Sequence, residues 1–438
     1  MKTPVTAVFD IGKTNKKLLL FDEQYRVVSE HAENLPETVD EDGFPCEDLE
    51  RLKNFVFKSL EQILSNPNWE IRVLNFSSYG ASLVYLDENG KPLTPLYNYL
   101  KPYPEKLLEQ FYSDYGGKEA FAAKTASPVL GSLNSGMQLY RIKYERPELL
   151  EKIKTVLHLP QYLSYLITGK LCSDITSIGC HTNLWNFEKN EYHEWLSKEN
   201  LLDKLAPLAA SNSIFRVRYK DHHFDSGIGL HDSSSALIPY LLSFKEPFVL
   251  ISTGTWCISL NPFNSSPLTA DELNSDCLCY LQYNTKPVKA SRLFAGHYHE
   301  QQLNRITAYY GTPASKYQEM AFERNYLNLL DDEQSFSDIE MDNCSSDREA
   351  YHRLIADIIH QQKRSTELII KGSEVKRIFV DGGFSKNPIY MNLLANVFPE
   401  MEIFAASMAQ ATALGSALVI SSLPVPNDLI ELKYYSAK

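Results

Sequence analysis

Thr6-Ala-Val-Phe-Asp10-Ile-Gly12-Lys13-Thr14-Asn-Lys-Lys17-Leu-Leu-Leu20 carries more about this chain than any other stretch. The apolar run at 7–9 meets Asp10, a turn follows on Gly12, and a second apolar run at 18–20 leads away. That is the pattern of a strand, a tight polar turn and a returning strand. Such a turn directs successive backbone N–H groups and the Thr14 hydroxyl into one small space, an anion nest. An acid beside it can hold a divalent cation. The same residues also suit a plain hairpin in which Asp10 caps the turn, so the phosphate reading needs a partner elsewhere.

The rest of the chain narrows the field. Its 438 residues suit two domains of ordinary size, and 44% hydrophobic content supports large cores. Net charge is −12, from 43 basic against 55 acidic residues, with no basic run. Nucleic acid and anionic membrane are therefore disfavoured as partners, because both need a basic footprint. No segment has the length of a membrane span, and the first residues lack a signal-peptide core; a cytoplasmic protein is expected. Seven scattered cysteines without a CxxC pair read as reduced thiols packed as small apolar groups. His297-Tyr-His299-Glu reads as a pocket or surface pair, since no third metal ligand has suitable spacing.

Strand and helix patterns alternate, which predicts an α/β fold with helices flanking mixed sheets. A third strand is expected at Tyr25-Arg-Val-Val, a helix over 47–64, strands at 71–76 and 83–86, and mostly helix over 103–170. The domain boundary is placed near residue 244, giving domains 1–244 and 245–438. The second half again opens on a hairpin: Phe248-Val-Leu-Ile251, then Ser252-Thr253-Gly254-Thr255, then Trp256-Cys-Ile-Ser-Leu260. Two halves each offering a phosphate-sized turn make a specific arrangement. Further on, a long helix at 353–370 feeds a strand at 377–380 and then Asp381-Gly382-Gly383. Glycines between a strand and a helix start let a ligand approach the backbone at an end that favours anions. A small-residue helix starts at Ala409, and 262–276 and 330–348 read as long surface loops.

Asp10-Ile-Gly-Lys-Thr, Ser252-Thr-Gly-Thr and Gly382-Gly383, in this order, resemble the actin/Hsp70/sugar-kinase ATPase superfamily. More closely, the chain is similar to the FGGY carbohydrate kinases, in the manner of rhamnulokinases and fuculokinases. The resembling pieces are Asp10 to Lys17, Leu-Asp-Glu-Asn-Gly-Lys-Pro-Leu at 86–93, Leu166-Ile-Thr-Gly169, Gly229-Leu-His-Asp-Ser233, Ser252 to Thr255, and Val380-Asp-Gly-Gly-Phe-Ser-Lys-Asn-Pro388. The resemblance implies two actin-like (ribonuclease H-like) domains, each with a mixed five-stranded sheet, around an interdomain cleft. It implies ATP and Mg²⁺ as cofactors and a sugar hydroxyl as acceptor, and family members are often dimers, although no interface is readable here. By position, Asp10 would hold Mg²⁺, with Gly12, Lys13, Thr14 and Lys17 at the terminal phosphates. Thr253, Gly254 and Thr255 would close on them from the second domain. Gly382 and Gly383 would lie against the α-phosphate and ribose, and Asn387 near the adenine.

Asp232 falls where the family keeps its general base. Phosphoryl transfer needs in-line positioning, charge neutralisation and a proton acceptor near the attacking hydroxyl. His231-Asp232-Ser-Ser-Ser is equally a good helix N-terminus by itself. The acceptor pocket departs from xylulose- and glycerol-type kinases. Ser78-Tyr79-Gly80-Ala81-Ser82 replaces their Gln and His, and Leu96-Tyr-Asn-Tyr99-Leu-Lys101 lacks the Asp and Arg of their Trp-x-Asp-x-Arg element. With Ser78, Tyr79, Tyr99 and His231 as acceptor contacts, the two tyrosines would suit a deoxy-ketose. Lys13 stands where a small hydroxyl residue is usual. A kinase for a tetritol, an amino sugar or a signalling molecule, and a nucleotide-dependent sensor that transfers little, are the competing readings.

Overall fold

The opening hairpin forms as its pattern predicts. Strand Thr3–Ile11 turns at residues 12–15 and returns as Lys16–Phe21, with Asp10 facing Lys17 in antiparallel register. The computed structural model describes residues 2–318, 320–408 and 410–437. Val8, Phe9, Leu18 and Leu20 are buried from both sides of the sheet, which explains a near-continuous apolar run in place of strict alternation. Strand Thr3–Ile11 also pairs in parallel with Trp69–Ser78, reached through the helix Leu49–Ser65. Asp48 caps that helix by accepting from the amides of Glu50 and Arg51.

The second half repeats this plan. Hairpin Val249–Thr253 and Cys257–Asn261 lies beside the parallel strand Arg377–Gly382, reached through the helix Asp347–Ile370. The two halves therefore share a central antiparallel hairpin flanked by a parallel partner, with helical crossovers covering the faces.

Among the described residues, the main sheet of each half has seven strands, not the five expected. In the first, Ile214–Tyr219 and His222–Gly227 extend one edge, and the short Leu230–His231 continues along Trp69–Ser78. In the second, Glu431–Tyr435 adds an outer antiparallel strand on Glu402–Ser407. That last strand is mostly exposed, so no burial pattern marked it in the sequence. The third strand begins at Val27, two residues beyond the expected start, because Tyr25 takes a left-handed turn conformation. Residues 103–170 are chiefly helical, interrupted by a strand at Thr155–His158 that pairs with Leu83–Leu86.

The two polar loops are more structured than expected. Thr269 and Glu272 form a capping box on a short helix, Ala270–Asn274. The segment around 330–348 winds through single 3₁₀ turns that bury Phe336, Ile339 and Met341. The small-residue helix runs Ala411–Val419, and Ala409 lies outside the described residues. It packs not on its own sheet but on the helix Asp232–Ser243 and strand Thr3–Ile11 of the first half.

Candidate functional site

Two carboxylates meet where the first sheet's strands end. Asp10 sits beside Ser77 in the parallel register and accepts its hydroxyl proton, Ser77 Oγ to Asp10 Oδ1 at 2.7 Å. His231 pairs with Ser78 on the same central strand, so the next residue, Asp232, emerges beside Asp10 at the start of the helix Asp232–Ser243. Burial, set against the Ser77 hydrogen bond and reinforced by the Asp232 charge, raises Asp10 to about 6. Burial likewise raises Asp232 to about 6, opposed by hydrogen bonds from Ser233. Two acids pushed upward at one place are poised to bind a cation or a proton. The capping alternative for Asp232 is only partly realised: its carboxylate accepts from the adjacent Ser233 amide at 2.6 Å, while His231 occupies the N-cap position without a side-chain bond.

The structure brings Ser78, Tyr79, Tyr99 and His231 together beside Asp232, with several residues that were not expected. Tyr79 packs edge-on against Tyr99 with ring centroids 5.9 Å apart. A Cβ at Gly80 would come within 2.5 Å of the His231 ring, so the 79–82 loop lies directly on that histidine. Ser78 is buried, and its hydroxyl donates to the Tyr79 carbonyl. Lys101 is held by Asp40 and Asp42, each at 2.6 Å, and lines a cavity with Gln138, Arg141 and Glu145.

Sequence reasoning missed Cys180, His181 and Tyr280. Cys180, His181 and His231 bring their ligand-capable atoms within 4.8 Å of one another, and the Tyr280 ring lies 6.0 Å from that of His231. Burial lowers His181 to about 3 and His231 to about 4, which keeps both imidazoles neutral. The non-glycine left-handed backbone at His181 is the local signal, and it is invisible without coordinates.

The turn at residues 12–15 exposes Thr14, while Lys13 and Lys17 rest on carboxylates. Lys13 binds Glu37 at 2.7 Å, and Lys17 binds Glu30 at 3.0 Å and reaches Gln410 at 3.3 Å. Across the molecule, Thr253 Oγ1 donates to the Asp381 carbonyl at 2.6 Å and accepts from the Phe384 amide at 3.0 Å. Gly382 has φ +91°, and a Cβ there would lie 2.0 Å from the Thr253 carbonyl oxygen, so only glycine lets these two loops touch. Gly254 and Thr255 are exposed at the hairpin tip.

Thr253, Gly254, Gly383 and Asn387 line a cavity of about 670 Å³ with His299, Tyr351, Phe384 and Lys386. Asn387 also holds the local backbone: its Oδ1 caps the helix Pro388–Val397, and its Nδ2 donates to Tyr351 at 2.8 Å. His299 faces the cavity and pairs with Tyr351, whereas His297 turns outward to Gln301, so the two do not converge on one ligand.

The two halves share one α/β plan, the first bringing two carboxylates together at its strand ends and the second a glycine-lined cavity, and together they define a class of two-domain α/β proteins. The comparisons with known proteins name it more closely. Residues 5–238 match the N-terminal domain of the FGGY family of carbohydrate kinases, and residues 245–427 match the Carbohydrate kinase FGGY C-terminal domain. The chain belongs to the FGGY carbohydrate kinase family.

Among curated relatives, it is 27% identical to a rhamnulokinase of Mannheimia succiniciproducens, over 58% of this chain and 52% of that protein. It is 25% identical to a probable L-xylulose kinase of Haemophilus influenzae, over 47% and 43%. The chain thus spans about half the length of the curated relatives it matches. A carbohydrate kinase structure from Novosphingobium aromaticivorans superposes with TM-score 0.81 at 20% identity, covering 98% of this chain and 96% of that one. A glycerol kinase structure with ADP from Plasmodium falciparum gives 0.76 at 16%, covering 100% and 94%. These likenesses establish the fold.

Proposed function

We propose that the chain transfers the terminal phosphoryl group of ATP to a sugar hydroxyl bound beside Asp232. The observation that carries this reading is the Asp10–Asp232 pair. The two acids sit within electrostatic reach of each other at the strand ends, and each is raised to about 6. Asp232 accepts the hydroxyl proton as the new O–P bond forms and the bond to the departing ADP oxygen breaks. Asp10, oriented by Ser77, fits Mg²⁺, because a cation there relieves both its burial and its repulsion from Asp232. Bound Mg²⁺ would neutralise charge on the terminal phosphates. Gly12, Lys13, Thr14 and Lys17 on one wall, and Thr253, Gly254 and Thr255 on the other, would hold those phosphates. Gly382 and Gly383 would lie along the α-phosphate and ribose, with the base toward Asn387 in the cavity. The domain boundary near 244 and a cytoplasmic setting belong to the same reading.

A deoxy-ketose is the favoured acceptor. The half-buried Tyr99, backed by the buried Tyr79 ring 5.9 Å away, offers an aromatic edge that suits a methyl group, and the rhamnulokinase similarity points the same way. The test is ADP release over a panel of ketoses, deoxy-ketoses and polyols, with wild type and Asp232→Asn. Acceptor-stimulated release that survives unchanged in Asp232→Asn would overturn the mechanism. Nucleotide binding without stimulation by any acceptor would favour the sensor reading.

A further inference from the structure

Lys16 is 1% exposed, an extreme degree of burial for a lysine, and it lies directly under the phosphate turn. Its ammonium donates to the carbonyls of Gly12 at 3.1 Å and Lys13 at 2.9 Å, and to Glu47 Oε1 at 2.8 Å. Those two carbonyls are thereby turned inward. A trans peptide is planar, so the amides that follow them, on Lys13 and Thr14, point the other way. Side chains alternate along a strand, so that opposite side is the one carrying Lys17 and, across the hairpin, Asp10. Lys16 therefore sets the direction in which the turn presents its phosphate-binding donors.

Glu47 is 6% exposed and does more than neutralise Lys16. Its backbone exchanges hydrogen bonds with Leu96, at 3.1 and 3.2 Å, three residues before Tyr99; its carboxylate is close enough to the Tyr79 hydroxyl to hold it protonated, and it lies 3.9 Å from the Lys13 ammonium. Tyr79 is the residue whose ring packs on Tyr99 and whose loop lies on His231. Tyr99 in turn feels the charges of both Asp232 and Glu47. A line of neighbours thus runs from the tyrosines to the turn at 12–15: Tyr79 on Tyr99, the 96–99 segment bonded to Glu47, Glu47 to Lys16, and Lys16 to the Gly12 and Lys13 carbonyls.

We propose that the buried Lys16–Glu47 pair is a positioning device that couples the two substrates, so that an acceptor sugar seated against Tyr79 tightens nucleotide binding at the phosphate turn. The acceptor half of this inference rests on the kinase reading above. A sugar that presses on Tyr79 fixes its hydroxyl on Glu47, which fixes Lys16, which in turn holds the turn amides outward for the terminal phosphate. Neither Lys16 nor Glu47 touches a substrate; both act through the turn. Replacing one member leaves the other as an unpaired buried group, so the pair works as a unit.

The experiment is calorimetric titration of the full chain with a magnesium–nonhydrolysable ATP analogue, with and without the acceptor found in the sugar panel. Wild type, Glu47→Gln, Lys16→Met, the double variant and Tyr79→Phe are compared, each checked by melting. In wild type the acceptor should tighten the analogue about tenfold, a typical coupling between two sites. Tyr79→Phe, which keeps the ring and removes only the hydroxyl, should bring that ratio close to unity. Glu47→Gln should weaken the analogue even without acceptor and should also abolish the ratio. The Lys16→Met and Glu47→Gln losses should be strongly non-additive in the double variant. If Lys16→Met does not fold, the near-isosteric Glu47→Gln and Tyr79→Phe decide the matter.

Wild-type coupling in folded Tyr79→Phe, or wild-type analogue affinity in folded Glu47→Gln, overturns the proposal while leaving the kinase reading standing. Should no sugar in the panel react, the kinase reading fails. The acceptor-free comparison of Glu47→Gln with wild type then still tests how the turn is held, and equal affinities overturn it.

Discussion

Asp232 and Asp10 are alike in residue type and in raised titration, yet their roles separate through their neighbours. Asp10 is bonded by Ser77 and faces the Lys17 position, whereas Asp232 lies 3.5 Å from the His231 ring and its charge reaches Tyr99. Asp232→Asn keeps the volume and removes the proton acceptor. Its kcat should fall by about 10²–10⁴, the usual contribution of a general base, in a steady-state assay with the preferred sugar. Ser77→Ala removes the hydrogen bond that lowers the Asp10 titration. The Asp10 carboxyl should then titrate above about 6, and the Mg²⁺ concentration needed for half-maximal rate should rise. At this scale Asp10, Thr14, Gly254 and Gly382 stood out from local turn pattern, whereas Asp232 stood out only through the family resemblance, its own surroundings reading as a helix start. Lys16 was passed over because burial of one lysine among three near the turn depends on Glu47, which lies 31 positions away in the chain.

At the scale of elements, the contact between the helices Ala411–Val419 and Asp232–Ser243 ties the C-terminal half to the helix that Asp232 begins. A Cβ at Gly415 would lie 1.8 Å from the Ser235 carbonyl oxygen. Around it, Ser235 Oγ donates to the Thr412 carbonyl, Asn75 Nδ2 donates to the Ser416 carbonyl at 2.7 Å, and Ser235 meets Ser416 at 2.9 Å. Gly415→Val must push these backbones apart. A loss of about 1–3 kcal/mol is expected from overpacking, readable as a lowered denaturant midpoint, and kcat should drop because Asp232 begins the displaced helix. The small-residue composition of this helix signalled close packing, but its sequence did not reveal which helix it would meet. Its partner begins nearly 180 residues earlier, and only the approach of the two domains brings them together.

For the whole molecule, the buried titratable groups predict how rate and stability follow pH. Asp232 must be unprotonated to act as base, so kcat/KM for the acceptor should rise with pH through about 6 and then level off. Asp10, Asp174 and Asp232, each raised by burial to about 6, favour the fold below their ordinary 3.8 and lose that contribution as pH climbs through 6. His158, His181 and His231 act in the opposite direction. Lowered by burial to about 3, 3 and 4, they cost stability as pH falls below 6.5, because the unfolded chain binds those protons first. The two sets oppose each other in the acid range. Mg²⁺ selects unprotonated Asp10, so its stabilising effect on the melting temperature should grow as pH rises through about 6, and a pH-independent effect would contradict its placement.

The repeated hairpins, the alternation of strand and helix, and the acids and glycines at the turns all follow from the order of residues along the chain. These are local matters of periodicity, turn chemistry and side-chain type. Only the tertiary structure decided the seven-stranded sheets, the Cys180–His181–His231 cluster, the Lys16–Glu47–Tyr79 line and the helix contact at Gly415. Each of these depends on burial and on pairs distant in the chain, which the folded packing creates and no local pattern encodes.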